Sequence, residues 1–209
     1  MEILYKDEHI VVCIKPSGVL SARDISGNKN MTDMLIEELS VSEVYPVHRL
    51  DREVSGVMVY ALSKPAAAKL SADSSDKDRF KKVYYAVCSG IPAEGIGIFE
   101  DLLFKDTKRS KSFVVEKMRK GVKTAKLEYE VLESFENKSL VKILLHTGRT
   151  HQIRVQFAHR KMPLIGDRKY GGERSEKGIA LRSVILGFNH PITNKWLEFN
   201  RIPDINEMI

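Results

Sequence analysis

The sequence predicts an α+β fold: a single domain over residues 1–209, built on a largely antiparallel sheet with helices packed against it. Three observations lead there. Apolar runs of strand length outnumber helix-periodic segments by about two to one. No internal repeat and no Pro/Gly/Ser-rich linker divides the 209 residues. A composition of 43% hydrophobic and 30% charged residues, with 13 Gly and 7 Pro, belongs to a chain that buries a core and excludes collagen-like and disordered classes.

The elements follow in order. EILYKD and HIVVCIKP are two short apolar runs joined by a turn at Asp7-Glu8, and Pro16-Ser17-Gly18 ends the second. Met34, Leu35 and Leu39 fall at helical spacing, so a helix over residues 32–39 is expected with Thr32 as its N-cap. After the loop HRLDREVSG comes the strand GVMVYALS, then a helix over residues 64–72 with Pro65 in the tolerated first turn. KKVYYAVCSG, AKLEYEVLESF and LVKILLHTG are three further strands. The Lys-rich stretch 104–126, which holds its own apolar run SFVVEKM, separates the first two, and Asn137-Lys138 turns between the last two. THQIRVQFAHR is helical and is broken by Pro163 and Gly166, after which ALRSVILGF and KWLEFN close the chain as strands.

Several classes are excluded at this level. Cys13 and Cys88 each sit inside an apolar run with no CxxC or CxxH neighbour, which rules out a disulfide scaffold and a cysteine-rich zinc site and predicts two reduced core thiols. No run approaches the roughly 18 apolar residues of a membrane-spanning helix, and MEILYKDEHI lacks the basic-then-apolar order of a signal peptide. A soluble, cytoplasmic protein with no membrane partner is expected. The net charge of +6 is unevenly placed: residues 104–126 carry nine basic and two acidic side chains, and residues 147–174 carry seven and two. The rest of the chain is net acidic. Clustered cations on such a background suit a polyanion, because phosphate neutralisation supplies most of the nonspecific affinity for nucleic acid.

Two constellations can carry chemistry. In His48-Arg49-Leu50-Asp51-Arg52, a carboxylate lies between two guanidinium groups in a loop that opens into a strand. Such neighbours favour the ionised form, which suits a nucleophile rather than a proton donor, although a loop Asp paired with Arg has the same local pattern. In Gly148-Arg149-Thr150-His151-Gln152-Ile153-Arg154, Thr150 caps a helix whose first turns present Arg149, His151 and Arg154. A helix start bearing cations suits phosphate, and Arg154 can alternatively pair with a carboxylate from another element. Gly166 to Gly172 adds a flexible basic loop with Arg168, Lys169 and one aromatic, Tyr170, fit to grip a backbone and stack a base.

Together these segments resemble the RluA-like family of RNA pseudouridine synthases, which act on ribosomal or transfer RNA. The resemblance spans HIVVCIKPSGVL, HRLDREVSG, KKVYYAV, GRTHQIRVQFAHRKMPLIGDRKYGG and ALRSVILGFNHP. Two departures occur: Val54 stands where the family usually has Thr, and Gln156 where His is common. The resemblance implies a central mixed, mainly antiparallel sheet with flanking helices and loops around a basic cleft. It implies Asp51 as the catalytic aspartate, Arg154 as its salt-bridge partner, Tyr84 stacked on the target base, Arg49 filling the space left by the flipped uridine, and Leu181 on the apolar side of the pocket. His48, Arg52, Arg149, His151, Arg168 and Lys169 complete the expected RNA-binding set. Many relatives carry a small N-terminal RNA-binding domain; this sequence is expected to be the catalytic domain alone, and a monomer.

The implied reaction breaks the N1–C1′ bond of uridine, turns the base and closes a C5–C1′ bond with no net redox change, so neither cofactor nor metal is expected. An ionised Asp can attack the sugar or abstract its C2′ proton, and both routes stand at this level. A noncatalytic RNA-binding module of the same fold is the alternative, but such a module has no need of a carboxylate at the centre of a basic face. A zinc deaminase or nuclease is disfavoured, since H-x-E with P-C-x-x-C and HExxH are both absent.

Overall fold

The computed structural model describes residues 1–25, 27–74, 76 and 78–209. Its architecture is α+β: among the described residues there are eleven strands and three α-helices. The chain divides into two compact units, Met1–Lys82 with Ser183–Ile202, and Val83–Arg182 with Pro203–Ile209.

The first unit contains β1 (Ile3–Lys6), β2 (Ile10–Lys15), α1 (Met31–Leu39), β3 (Tyr45–Pro46), β4 (Ser55–Ala61) and α2 (Lys64–Asp73). β1 pairs with β2, β2 with β4 and β3 with β4, all antiparallel. Alternate residues of the two central strands, Ile10 and Val12 with Val57, Val59 and Ala61, join Ala66 and Leu70 of α2 in the core, together with Phe80, Leu186 and Phe188. The residues between them, Val11, Cys13, Met58 and Tyr60, are equally inaccessible. Burial on both faces is why these strands read as unbroken apolar runs instead of alternating ones. Both helices begin on an Asn or Ser that accepts from a backbone N–H of the first turn. Asn30 caps α1 through the N–H of Asp33 (3.0 Å), so the expected cap at Thr32 moves two residues back, and Thr32 lies inside the helix. Ser63 caps α2, with Pro65 in its first turn as expected.

The second unit is built on β5 (Phe80–Ser89, from Val83 on), β6 (Ile96–Asp106), β7 (Lys111–Val115), β8 (Val122–Phe135) and β9 (Lys138–Leu145), in the order β5-β9-β8-β6-β7 with antiparallel pairing throughout. α3 (Gln152–His159) lies against it: Phe157 meets the edge of Phe99 at 5.1 Å between ring centres, and Val155 packs with Leu103 and Ala125. β6 is a strand that the sequence pattern conceals. Its apolar residues are interrupted by Glu100-Asp101, yet period two holds: Phe99, Asp101 and Leu103 share a face, and Asp101 is acceptable there because Gln156 and Arg160 of the α3 segment donate to it at 2.7 and 2.9 Å. The remaining strands, β10 (Leu181–Asn189) and β11 (Trp196–Asn200), pair antiparallel in the first unit from Ile185 on. Cys13 and Cys88 are buried and free, and no helix among the described residues is long and apolar enough to cross a membrane.

One glycine of HRLDREVSG has a structural explanation. Gly56 sits at φ 131°, and a Cβ there would lie 2.1 Å from the carbonyl oxygen of Ser183. Backbone cannot yield as a side chain can, so Gly56→Ala should cost roughly 3–5 kcal/mol or prevent folding. Thermal melting checks this: a loss of about 10 °C or more is expected, and a variant that melts with wild type would contradict the packing described.

Candidate active site

The loop that carries Asp51 is fastened on both sides. Before it, Leu50 is buried, and its backbone exchanges two hydrogen bonds with Ser21: the Leu50 N–H donates to Ser21 Oγ (3.0 Å) and the hydroxyl donates to the Leu50 carbonyl (2.9 Å). After it, the Arg52 carbonyl accepts from the Gly18 N–H (2.9 Å) and from the ammonium of Lys15 (3.0 Å). Lys15 is fully buried at the end of β2 and also donates to the carbonyls of Pro16 (2.9 Å) and Val19 (2.7 Å). All three of its protons are thereby used. Burial pushes its pKa down to about 8, against the pull of the Glu53 and Asp51 carboxylates. Val54, where the family usually has Thr, is buried, and its N–H closes a turn onto the Asp51 carbonyl at 3.0 Å. Arg49 and Arg52 stay exposed on either side of the partly exposed Asp51. The backbone bearing the carboxylate is thus fixed by neutral and cationic donors while its two arginine neighbours face solvent.

His48 is turned inward. Its Nε2 accepts from the Val59 N–H (3.3 Å), its ring meets the edge of Phe80 at 5.4 Å between centres, and its buried Nδ1 has no hydrogen-bond partner among the described residues. Burial and then the nearby Lys82 ammonium push its pKa down to about 3, so the imidazole is neutral. A neutral, inward ring offers no charge to a phosphate. Here the sequence expectation of an RNA contact meets a packing role, because the same strand entrance that exposes Arg49 rotates its neighbour toward the core.

In the second unit, Arg154 is almost wholly buried on α3, and its guanidinium grips a carboxylate that sequence reasoning placed in a flexible basic loop. Nε donates to Asp167 Oδ2 at 2.7 Å and Nη2 to Oδ1 at 2.8 Å; the Asp167 side chain is completely inaccessible. The loop is therefore tight. Gly166, at φ 78°, lets the backbone pass so near the Gly178 carbonyl that a Cβ would lie 1.9 Å from it, and residues 168–170 form a 3-10 turn. The Gly-Asp and Gly-Gly flanks of that segment were the available signal. α3 also begins differently from expectation: its N-cap is His151, in the left-handed region at φ 54° with no side-chain cap, while Thr150 uses its carbonyl to accept from Ser112 Oγ (2.6 Å).

Three basic segments that lie apart in sequence meet in this unit. Lys169 Nζ donates to the Ser110 carbonyl in the turn between β6 and β7 (3.0 Å), the Ser112 N–H donates to the Tyr170 hydroxyl (2.8 Å), and Lys111 Nζ stands 4.8 Å from the centre of the Tyr170 ring. The turn exposes Lys108 and Arg109, and the 3-10 segment exposes Arg168 and Lys169. Arg149 is partly exposed and donates through Nε to the Thr124 carbonyl at 2.9 Å. Tyr84 lies in β5 opposite Ile143, 5% exposed, and Leu181 begins β10, 3% exposed. Gln156 is fully buried and holds Asp101, a packing function. Among the described residues no group of three or more His, Cys, Asp or Glu is placed to hold a metal ion.

Residues 9–159 match the profile of a family described as RNA pseudouridylate synthase. The chain is 34% identical to the ribosomal large subunit pseudouridine synthase D of Haemophilus influenzae, over 98% of this chain and 68% of that protein. It is 33% identical to the tRNA pseudouridine synthase C of Yersinia pestis, over 94% of this chain and 84% of that protein. Among solved structures, human RNA pseudouridylate synthase domain containing 4 has the same fold, with a TM-score of 0.78 at 23% identity over 98% of this chain and 89% of that one.

The environment of His48 fixes the sign of one pH effect. Its pKa is about 3 in the fold against an ordinary 6.5, so from pH 6.5 down to 3 the unfolded chain takes up a proton that the native chain refuses, and stability falls as pH falls through that window. Between pH 7 and pH 5 this loss should be about 1–2 kcal/mol. Urea denaturation of wild type and His48→Gln at both values checks it: the variant should lose less on acidification, and equal losses would remove His48 as the cause.

Proposed function

Since the chain belongs to the RNA pseudouridylate synthase family, and so is an isomerase acting on RNA, we propose that it converts a specific uridine of ribosomal or transfer RNA to pseudouridine with Asp51 as the reacting carboxylate. The observation that carries this reading is the loop fastened at Leu50 and Arg52, which holds one carboxylate at a fixed point between two exposed guanidinium groups. Fixing a reacting group in advance removes the entropy of finding the geometry.

The other roles follow from the family resemblance and the chemistry of each side chain. Tyr84 supplies a flat face for the uracil. Leu181 gives the pocket an apolar wall. Arg154, whose Nε and Nη2 donate to Asp167, is by the family resemblance the salt-bridge partner of the reacting carboxylate. Arg49 occupies the stack from which the uridine has been drawn; extruding a base costs a few kcal/mol, which a planar cation in the vacated space offsets in part. The exposed Lys108, Arg109, Arg168 and Lys169, with Arg149 and His151, bind phosphates. Arg52 extends that contact beside Asp51. Residues 1–209 act as one catalytic domain, monomeric and cytoplasmic, with no metal and no cofactor, because the isomerisation consumes nothing and transfers no electrons.

Asp51→Asn preserves shape and removes the charged oxygen. Pseudouridine formation on RNA from cells lacking this protein should fall by at least about a thousandfold, while RNA affinity stays within a few-fold; near wild-type conversion would take Asp51 out of the reaction. The turn between β6 and β7 gives an independent test. Each phosphate contact contributes about one unit to the salt dependence of binding, so the double change Lys108→Ala with Arg109→Ala should lower the slope of log K against log salt by about two. An unaltered slope would leave the turn a solvated loop.

A further inference from the structure

Tyr170 stands at the junction of the basic turn and the buried guanidinium. Its hydroxyl accepts from the Ser112 N–H (2.8 Å), lies 3.2 Å from the Ser112 carbonyl, to which it donates, and shares a hydrogen bond with Nδ1 of His151 at 3.0 Å. Ser112 is the second residue of β7, so this hydroxyl holds the strand that follows the turn bearing Lys108 and Arg109. The ring does different work. Its face lies 5.3 Å from the Arg154 guanidinium carbon and 4.8 Å from Lys111 Nζ, both within cation–π range, and its edge meets the His151 ring. Tyr170 is three residues after Asp167, which grips the same guanidinium through two hydrogen bonds.

We propose that Tyr170 is a positioning residue that ties the phosphate-binding turn to Arg154: its hydroxyl holds the turn, and its ring, with Asp167, holds the guanidinium. This rests on the reading of the chain as an RNA pseudouridine synthase and adds a connection inside it. Among the described residues β7 pairs with a single neighbour, β6, with no strand along its outer side, and a hydroxyl engaging both the N–H and the carbonyl of Ser112 replaces that missing pairing. An arginine kept by a bidentate carboxylate is fixed in the plane of its fork; an aromatic face fixes it out of that plane. The two constraints meet in one side chain, so RNA that loads the turn also bears on the orientation of Arg154.

The two halves of Tyr170 can be removed separately. Tyr170→Phe keeps the ring and deletes the hydroxyl; Tyr170→Leu deletes both. Three measurements read them on the whole protein: amide hydrogen exchange at Ser112, RNA binding, and single-turnover pseudouridine formation across RNA concentrations. In Tyr170→Phe, exchange at Ser112 should quicken about tenfold and the half-saturating RNA concentration should rise about fivefold, as expected when the Ser112 N–H loses its hydroxyl acceptor. The rate at saturating RNA should fall further in Tyr170→Leu than in Tyr170→Phe, by about tenfold more, because only Leu removes the face beneath Arg154. The proposal is overturned if Tyr170→Phe leaves Ser112 exchange as in wild type, or if both variants lose the saturated rate by the same factor. Should the wild-type protein form no pseudouridine, the functional reading fails by itself, and Ser112 exchange with RNA binding still decide whether the hydroxyl holds the turn.

Discussion

A guanidinium removed from water must be met by a carboxylate of matching geometry, and in this protein the pair is Arg154 with Asp167. The cost of burying either charge alone is several kcal/mol, so each residue dictates the placement of the other. From that constraint much of the second unit follows. The segment after α3 must turn back within a few residues, which Gly166 allows; the 3-10 turn then sets Tyr170 over the guanidinium, and Tyr170 reaches the backbone of β7. The basic turn between β6 and β7 is in this way referred to the same fixed point as the buried arginine.

The first unit meets a comparable demand with different chemistry. For the carboxylate proposed to react, the loop has to be rigid while the side chain stays accessible, and here the rigidity comes from groups that face away from solvent. Ser21 engages both backbone groups of Leu50, and the buried Lys15 spends its protons on three carbonyls, one of them that of Arg52. A lysine with its ammonium inside a protein is held below its usual pKa by desolvation, and only a full set of acceptors makes the charge tolerable there. In the function proposed, the exposed arginines that flank Asp51 put the charge that meets RNA next to the charge that reacts.

The division between holding and binding recurs across the charged side chains. Among the buried ones, Lys15 donates to three carbonyls and Arg154 pairs with Asp167. Arg49, Arg52, Lys108, Arg109, Arg168 and Lys169, the cations proposed to meet phosphate, are exposed on turns and loops. Net charge alone does not distinguish the two sets.

What the sequence determined by itself was set by local and compositional physics. Strands buried on both faces, β2, β4 and β5, announce themselves as apolar runs; Pro65 and Ser63 mark the start of α2; and the pair HRLD and GRTHQIR identifies the family. Tertiary structure decided the rest, because the deciding partner lies far along the chain. β6 is a strand despite Glu100-Asp101, since Gln156 and Arg160 satisfy the acid that points inward. Asp167 looks like one more charge in a basic loop until Arg154, thirteen residues earlier, is brought against it. His48 reads as a site residue beside Arg49 and Asp51, yet the Val59 N–H and the Phe80 ring claim its imidazole. Tyr170, read in sequence as an aromatic fit to stack a base, joins Ser112 to Arg154. Periodicity reports which face of an element is apolar. It carries no information on which distant donor will meet a polar group there, and that pairing is what makes a buried charge affordable.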